Sequence, residues 1–166
     1  VGMGKTFQAL AVITEQFRQK PDSKVLVITP RKEVLNQWKE EEYKEFREKH
    51  FLNQDEKYLP ENNNDNIHEI PNFAKGFFDR EKPHTKIVFA KSTSFSTQEN
   101  IENIDREKQL LEDIKQFDLI VVDEAHKFRN YDEKWEDSLI IKTAKNLFGN
   151  INDTKKILLM TATPLH

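Results

Sequence analysis

The stretch DLIVVDEAH at residues 118–126 decides the fold. Its apolar residues, 119–122, are consecutive and do not alternate with polar ones, which is typical of a parallel strand covered on both faces. Asp123 and Glu124 follow directly, so two adjacent carboxylates stand at the C-terminal end of this strand. Ligands of open α/β sheets bind outside that edge. The stretch therefore predicts a buried parallel strand that presents two acidic side chains to a binding crevice.

Three other apolar runs have the same character, and helix-period stretches lie between the runs. The further strands are predicted at residues 25–28, 87–90 and 157–160. Helices are predicted around residues 7–17, 34–46, 106–116 and 133–148, the first ending before Pro21. The charged run KEEEYKEFREKH is expected on the outer face of the second helix. This alternation of strand and helix predicts a doubly wound α/β domain.

Length and composition exclude several classes of protein. A chain of 166 residues is the size of one domain, so residues 1–166 are expected to form a single folding unit. The net charge of -3 gives no overall attraction to nucleic acid, which leaves only local patches for such contacts. The absence of cysteine excludes disulfides and thiolate metal sites and fits a reducing cytoplasm. No apolar run approaches the roughly 18 residues of a membrane span.

Residues 50–83 differ from the rest of the chain. They have few aliphatic residues and no clear period, and ENNNDN stands at 61–66, so we expect a surface insertion within the domain. The aromatic segment FAKGFFD at 73–79 is expected to pack back onto the body, with partner binding as the alternative.

Gly4, Lys5 and Thr6 match the closing half of the phosphate-binding loop G-x-x-x-x-G-K-[ST]. The first glycine of that pattern would lie two residues before Val1, so either the match is chance or the chain is one end of a longer protein. A lysine at this place neutralises the β- and γ-phosphates, and the hydroxyl that follows helps to hold Mg²⁺. The loop alone predicts a nucleotide site only weakly.

The acidic pair complements the loop. Asp123 is suited to the Mg²⁺ shell, usually through water, and Glu124 to orienting or deprotonating the attacking water. The other interpretation of the pair is a solvated turn and helix cap. If the nucleotide interpretation is right, Lys5 and the two carboxylates converge on one triphosphate.

Residues 160–166 read MTATPLH, with two threonines around a small residue at a strand end. Together with GMGKT at 2–6 and DEAH at 123–126, they make the chain resemble the first RecA-like lobe of a superfamily 2 helicase or translocase, closest to the SWI/SNF-type members. The resemblance covers nearly the whole chain. It implies a RecA-like P-loop NTPase lobe with a mainly parallel sheet and helices on both faces. It also implies ATP and Mg²⁺ as cofactors, double-stranded DNA as partner and a cytoplasmic location.

The resemblance also implies roles for individual residues. Nucleotide contacts fall to Gly2, Met3, Gly4, Lys5 and Thr6, and catalysis to Lys5, Asp123 and Glu124, with Thr6 and Asp123 at the metal. Contacts with nucleic-acid phosphates fall to Thr29, Arg31, Ser92 and Thr93. Coupling between hydrolysis and nucleic acid falls to His126, Thr161 and Thr163, for which a plain capping network is the alternative. Trp38, in the family-like run QWKE at 37–40, and Trp135 are expected to pack in the core.

Three family features are not found in these 166 residues. They are the strand before the phosphate loop, the second RecA-like lobe with its arginine finger, and the glutamine element that reads adenine. We therefore expect two neighbouring strands to face a gap, and the chain alone to bind ATP weakly and hydrolyse it hardly at all. The alternative is a degenerate or truncated module that binds nucleic acid or protein without catalysis. The joint presence of Lys5, Thr6, Asp123 and Glu124 favours the enzyme.

Overall fold

A computed structural model describes residues 3–49, 58–69, 84–92, 112–125 and 155–161. The helices are α1 (Met3–Gln19), α2 (Lys32–Asn36) and α3 (Tyr43–Lys49), and a π-helical segment (Gln37–Glu42) joins α2 to α3. The strands are β1 (Val25–Thr29), β2 (Ile67–Glu69), β3 (Ile87–Lys91), β4 (Leu119–Val122) and β5 (Lys156–Leu159). The α/β class predicted from the sequence is confirmed.

The five strands form one parallel sheet in the order β2-β3-β1-β4-β5. Val25 is in register with Ile87 on one side and with Leu119 on the other, so β1 is the central strand. All four strands predicted from apolar runs are present, each within one residue of its predicted bounds. Because the strands are parallel, their carboxyl ends lie at the same edge of the sheet.

Both faces of the central strands are buried, which explains their unbroken apolar runs. Val25 and Val27 pack on one face in a core shared with α1 and with the helical stretch from α2 to α3. Leu26 and Ile28 point to the opposite face and are fully buried as well. A side chain on either face therefore contributes to the core, so no polar alternation appears.

Helix α1 brings the phosphate-loop residues to the sheet. Leu10, Ile13 and Phe17 lie on one side of the helix and are buried in the core. The Thr14 hydroxyl donates to the Leu10 carbonyl at 2.8 Å, so this buried polar group is satisfied within the helix. The helix begins at Met3, and its first turn therefore includes Gly4, Lys5 and Thr6, as the sequence predicted.

The expected gap between two strands does not occur among the described residues. Strand β1 pairs directly with β3 and β4, and β4 pairs with β5, so the five-stranded sheet is continuous. Strand β5 differs from the prediction in another way, because it is not buried on both faces. Ile157 and Leu158 are half-buried, and Leu159 is 51 % exposed. Strand β5 is outermost in the described sheet, and such a strand has a neighbour on one side only.

Part of the 50–83 segment joins the sheet, which the sequence did not predict. Strand β2 pairs with β3, and Ile67 is buried in the core together with Leu59. The Tyr43 hydroxyl donates to the Pro60 carbonyl at 2.6 Å and ties this segment to α3. Asn63 Oδ1 accepts the main-chain N–H groups of residues 65 and 66, which shapes the asparagine-rich stretch as a turn before β2.

The remaining predicted elements are described only in part. Of the helix predicted at 106–116, residues 112–116 are described; 112–115 are helical and 116 lies in a turn. The helix predicted at 133–148, with Trp135, and the aromatic segment 73–79 lie outside the described residues.

Candidate active site

The first turn of α1 and the C-terminal end of β4 meet at one place. Lys5 Nζ lies 3.9 Å from Glu124 Oε1. The Lys5 side chain is 34 % exposed and the Glu124 side chain 26 %, so both groups remain accessible from solvent. Residues 119 positions apart in the chain thus converge as the spacing of the two motifs predicted, and an anionic ligand can reach both of them.

The backbone after β4 turns sharply at the acidic pair. The Asp123 N–H still donates to the Ile28 carbonyl at 2.8 Å and so continues the ladder with β1. Glu124 has a φ of 53°, in the left-handed region that non-glycine residues rarely adopt. Its N–H donates to Asp123 Oδ1 at 2.9 Å. Such conformations cost about 1–3 kcal/mol and are concentrated at functional sites.

Asp123 is held by a tryptophan from the helical stretch above the sheet. Trp38 Nε1 donates to Asp123 Oδ2 at 3.3 Å, and the indole packs edge-on against Phe89. Burial raises the pKa of Asp123, which the hydrogen bonds from Trp38 and from the Glu124 N–H partly oppose. Trp38 therefore packs in the core, as predicted, and in addition orients a site carboxylate.

The π-helical segment places a further carboxylate at the site. Glu42 is only 5 % exposed, and its Oε1 accepts the Gln37 side-chain amide at 2.7 Å. These residues are five apart, a spacing that a π-helix brings to one side and a regular α-helix does not. The expectation that the charged run 39–50 lies outside is therefore wrong at Glu42 and at Tyr43, which are both buried.

Glu42 lies next to Thr6, the last residue of the GKT motif. Thr6 is 6 % exposed, and its hydroxyl lies close enough to the Glu42 carboxylate to influence the pKa of that group. Burial raises the pKa of Glu42, and the negative charge of Asp123 adds to the effect, whereas hydrogen bonding by Thr6 and Gln37 lowers it. Glu42 Oε2 is buried and accepts no well-aligned hydrogen bond in the described part of the chain. A buried acceptor without a donor points to a missing ligand or water.

These residues fit the Mg²⁺–nucleotide that their motifs imply. The site offers a hydroxyl and carboxylates, which are the hard oxygen donors that Mg²⁺ prefers, next to the Lys5 ammonium. A Cβ at Gly4 would meet no atom of the described residues within 4 Å outside its own helix, so these residues leave space beside the loop. Within the described ranges, no group of three or more His, Cys, Asp or Glu side chains is placed to hold a metal alone. A magnesium ion here would thus depend on phosphate oxygens and water for its remaining ligands.

The ends of β4 and β5 are joined just beyond the acidic pair. The Ala125 N–H donates to the Met160 carbonyl at 2.8 Å, and the Met160 N–H donates to the Val122 carbonyl at 2.9 Å. Thr161 follows this junction and is half-buried. The segment that carries Asp123 and Glu124 is therefore bonded directly to the segment that carries Thr161.

The predicted nucleic-acid residues divide into exposed and buried ones. Arg31 is exposed at the N-terminus of α2, where its Nε lies 3.9 Å from Glu33 Oε2. Thr29 is fully buried, and Ser92 donates its hydroxyl hydrogen to the Pro30 carbonyl at 3.1 Å. Both hydroxyls are bonded to backbone carbonyls, and their contacts with nucleic-acid phosphates stay a prediction.

Four predicted residues lie outside the described ranges, namely Gly2, Thr93, His126 and Thr163. Of Met3, only the backbone is described, as the first residue of α1. Conversely, sequence reasoning did not assign Gln37, Trp38 or Glu42 to the site. The sequence signal that could have identified Glu42 was its position four residues after the core residue Trp38, which places it on the buried side of a helix.

Comparison with known families gives one match. The family model described as "Type III restriction enzyme, res subunit" matches residues 1–166. No curated protein matches the chain. In the described ranges, no helix has both the length and the apolar character needed to cross a membrane.

Proposed function

The chain belongs to the family of type III restriction enzyme res subunits, a helicase-like family of superfamily 2, and from this premise we propose that it is the ATP-binding motor lobe of a DNA-dependent ATPase. The lobe hydrolyses ATP to ADP and phosphate so that the intact protein moves on double-stranded DNA as a helicase or translocase. The superfamily predicted from the motifs is confirmed by the family match, whereas the SWI/SNF-type likeness stays a prediction. The cytoplasmic location belongs to the same proposal.

One observation carries the proposal, namely the approach of Lys5 to Glu124 at 3.9 Å beside Asp123 and Thr6. The four side chains come from the N-terminus of α1 and the C-terminal edge of the sheet. A helix N-terminus favours anions, and the carboxyl edge of a parallel sheet is where its ligands bind. The positive charge of Lys5 and the location of the site thus both favour a nucleoside triphosphate as the ligand.

Each residue has a chemical task in this proposal. Lys5 binds the β- and γ-phosphates, and Thr6 and Asp123 hold Mg²⁺, directly or through water. When bound, Mg²⁺ would neutralise the negative charge that develops on the phosphates. Glu124 accepts a hydrogen bond from the attacking water and takes its proton. The Glu124 carboxylate lies 3.9 Å from the Lys5 ammonium group, at the turn that follows β4.

The nucleic-acid assignment has weaker support. A family described as a restriction enzyme favours DNA, and we assign the exposed Arg31 to its phosphates. Such a contact positions the protein without reading sequence. Coupling to the nucleotide is assigned to the bonded ends of β4 and β5, with Thr161, His126 and Thr163. We treat residues 1–166 as one lobe, because β2 from the 50–83 insertion joins the same sheet as the other strands.

The test is nucleotide binding and phosphate release by the 166-residue chain, measured with and without double-stranded DNA. We expect weak, Mg²⁺-dependent binding of ATP and very slow turnover. The slow turnover follows from the family resemblance, which implies an arginine from a second RecA-like lobe worth roughly 10³–10⁵ in rate. Rapid DNA-stimulated turnover would contradict the need for that lobe. Absence of nucleotide binding would favour a non-catalytic module instead.

A further inference from the structure

Resting on the proposed function, we infer that Glu42 is a positioning residue for the nucleotide-bound metal. Its carboxylate accepts the hydrogen of the Thr6 hydroxyl, so that the oxygen lone pairs of Thr6 face the metal. Its second oxygen, Oε2, is a buried acceptor that a bound water molecule would satisfy.

The burial of Glu42 indicates that it does not serve the surface. Its exposure is 5 %, whereas the neighbouring Glu40 and Glu41 are exposed to solvent. A buried carboxylate is costly unless it has partners. Oε1 accepts a hydrogen bond from the Gln37 side-chain amide at 2.7 Å. Oε2 is buried and has no hydrogen-bond donor among the described residues. A role in helix solubility or in a surface ion pair would leave Glu42 in solvent.

The surroundings of Glu42 identify what it serves. Thr6 and Asp123, the two residues assigned to the metal, are both close enough to Glu42 to change the pKa of its carboxyl group. Trp38, four positions earlier in the same π-helical segment, donates to Asp123 at 3.3 Å. One segment therefore bonds to Asp123 through an indole N–H and places a buried carboxylate beside Thr6, the two residues assigned to the metal.

The spacing of Trp38 and Glu42 allows both to lie at the site, because residues four positions apart share one side of a helix. The π-helical turn adds Tyr43, five positions after Trp38, to the buried side and brings Glu42 onto Gln37, five positions earlier. Single π-turns inside α-helices occur frequently at functional sites.

The first experiment compares Glu42→Gln with Glu41→Gln, which makes the same charge change at an exposed neighbour. The affinity for a fluorescent, non-hydrolysable ATP analogue is measured with Mg²⁺ and again in excess chelator. We expect Glu42→Gln to weaken Mg²⁺-dependent binding by roughly 10–100-fold, as for other residues that orient metal ligands. Metal-free binding should be unchanged in both variants, and Glu41→Gln should match the parent protein in both conditions.

Each of the other outcomes overturns the inference about Glu42. If the parent protein binds the Mg²⁺–nucleotide and Glu42→Gln does so equally well, the inference is overturned while the proposed function stands. An equal loss of binding with and without Mg²⁺ also overturns it, because Glu42 would then support only the fold. If the parent protein binds no nucleotide at all, the proposed function fails and the inference fails with it.

A second experiment tests the Thr6–Glu42 contact without nucleotide. Urea midpoints are measured for Thr6→Val, for Glu42→Gln and for the double variant. We expect the combined shift to be smaller in size than the sum of the single shifts, because the second change finds the contact already lost. Additive shifts would overturn the proposed contact. This measurement also shows whether the single variants remain folded.

Discussion

Trp38 Nε1 donates to Asp123 Oδ2 at 3.3 Å, so a residue of the helical stretch above the sheet is bonded to the carboxylate that ends β4. In Trp38→Phe the aromatic packing against Phe89 is largely kept and the donor is lost. We expect the free energy of unfolding to fall by about 1–3 kcal/mol, since a partly buried acceptor loses its partner. Chemical denaturation measures this change, and an unchanged midpoint would show that the bond contributes nothing to stability.

Lys5→Ala is expected to weaken binding of the Mg²⁺–ATP analogue. The ammonium group is the cation that faces Glu124 at 3.9 Å, and its loss removes a charge-assisted contact worth about 1.5–3 kcal/mol, roughly 10–100-fold in Kd. Turnover, where it is measurable, should disappear. Lys44→Ala is the control, because Lys44 is 69 % exposed and belongs to α3. Equal binding by Lys5→Ala and the parent protein would remove Lys5 from the site.

Glu124→Gln is expected to preserve nucleotide binding and to stop hydrolysis. The amide keeps the size of the side chain but cannot accept a proton from water, and loss of general-base catalysis costs roughly 10²–10⁴ in rate. Single-turnover phosphate release in the presence of DNA and of any partner lobe is the measurement. Glu112→Gln serves as the control, since Glu112 is exposed and paired with Lys115. Normal hydrolysis by Glu124→Gln would contradict the role of Glu124 as base.

Glu15 on α1 gives a prediction about pH. The hydrogen bond from Arg18, with that from Gln19, lowers the pKa of this carboxyl from 4.5 to about 2. A lowered pKa in the folded state means that the stabilisation is complete above pH 4.5 and is lost as the pH falls toward 2. An NMR titration of the side-chain carboxyl carbons should place the midpoint of Glu15 near 2.

The matched variant for this titration is Arg18→Gln. It should raise the pKa of Glu15 toward 4.5, because the main partner of the carboxylate is removed. Lys44→Gln, on another helix, should leave the midpoint unchanged. A midpoint near 4.5 in the parent protein would mean that the Arg18 pair is not maintained in solution, as is common for exposed ion pairs.

The strands were predictable because burial on both faces leaves an unbroken apolar run. Val25 to Ile28 and Leu119 to Val122 are apolar at every position, and all are buried. The meeting of Lys5 with Glu124 followed from the topology, since parallel strands place their carboxyl ends at one edge. The apolar pattern did not predict that β5 is partly exposed to solvent. The run at residues 157–160 is as apolar as β4, and the apolar pattern does not reveal that β5 is outermost in the described sheet.

The sequence analysis did not predict the burial of Glu42 or the presence of strand β2, and each omission has its reason in the local sequence. Glu42 stands in the charged run 39–50, which was assigned to solvent as a whole, although its position four residues after Trp38 is the spacing of a shared helix face. Tyr43 was missed because helical periodicity assumes 3.6 residues per turn, and the π-helical segment breaks that period between Trp38 and Tyr43. A strand of three residues, such as Ile67–Glu69, is too short to give a periodic signal. The buried hydroxyls of Thr29 and Ser92 were equally hidden, because their acceptors are backbone carbonyls that the sequence does not reveal.

The parallel topology also has a consequence for how the chain assembles. The main-chain N–H of Lys24, just before β1, donates to Asp118, which lies 94 residues later. During synthesis, the ribosome needs about 5–20 s to add the 94 residues that separate Lys24 from Asp118. Until β4 is made, β1 can pair only with β3, although every side chain of β1 is finally buried. Nascent chains of this protein are thus open to aggregation, and help from a chaperone should raise the soluble yield.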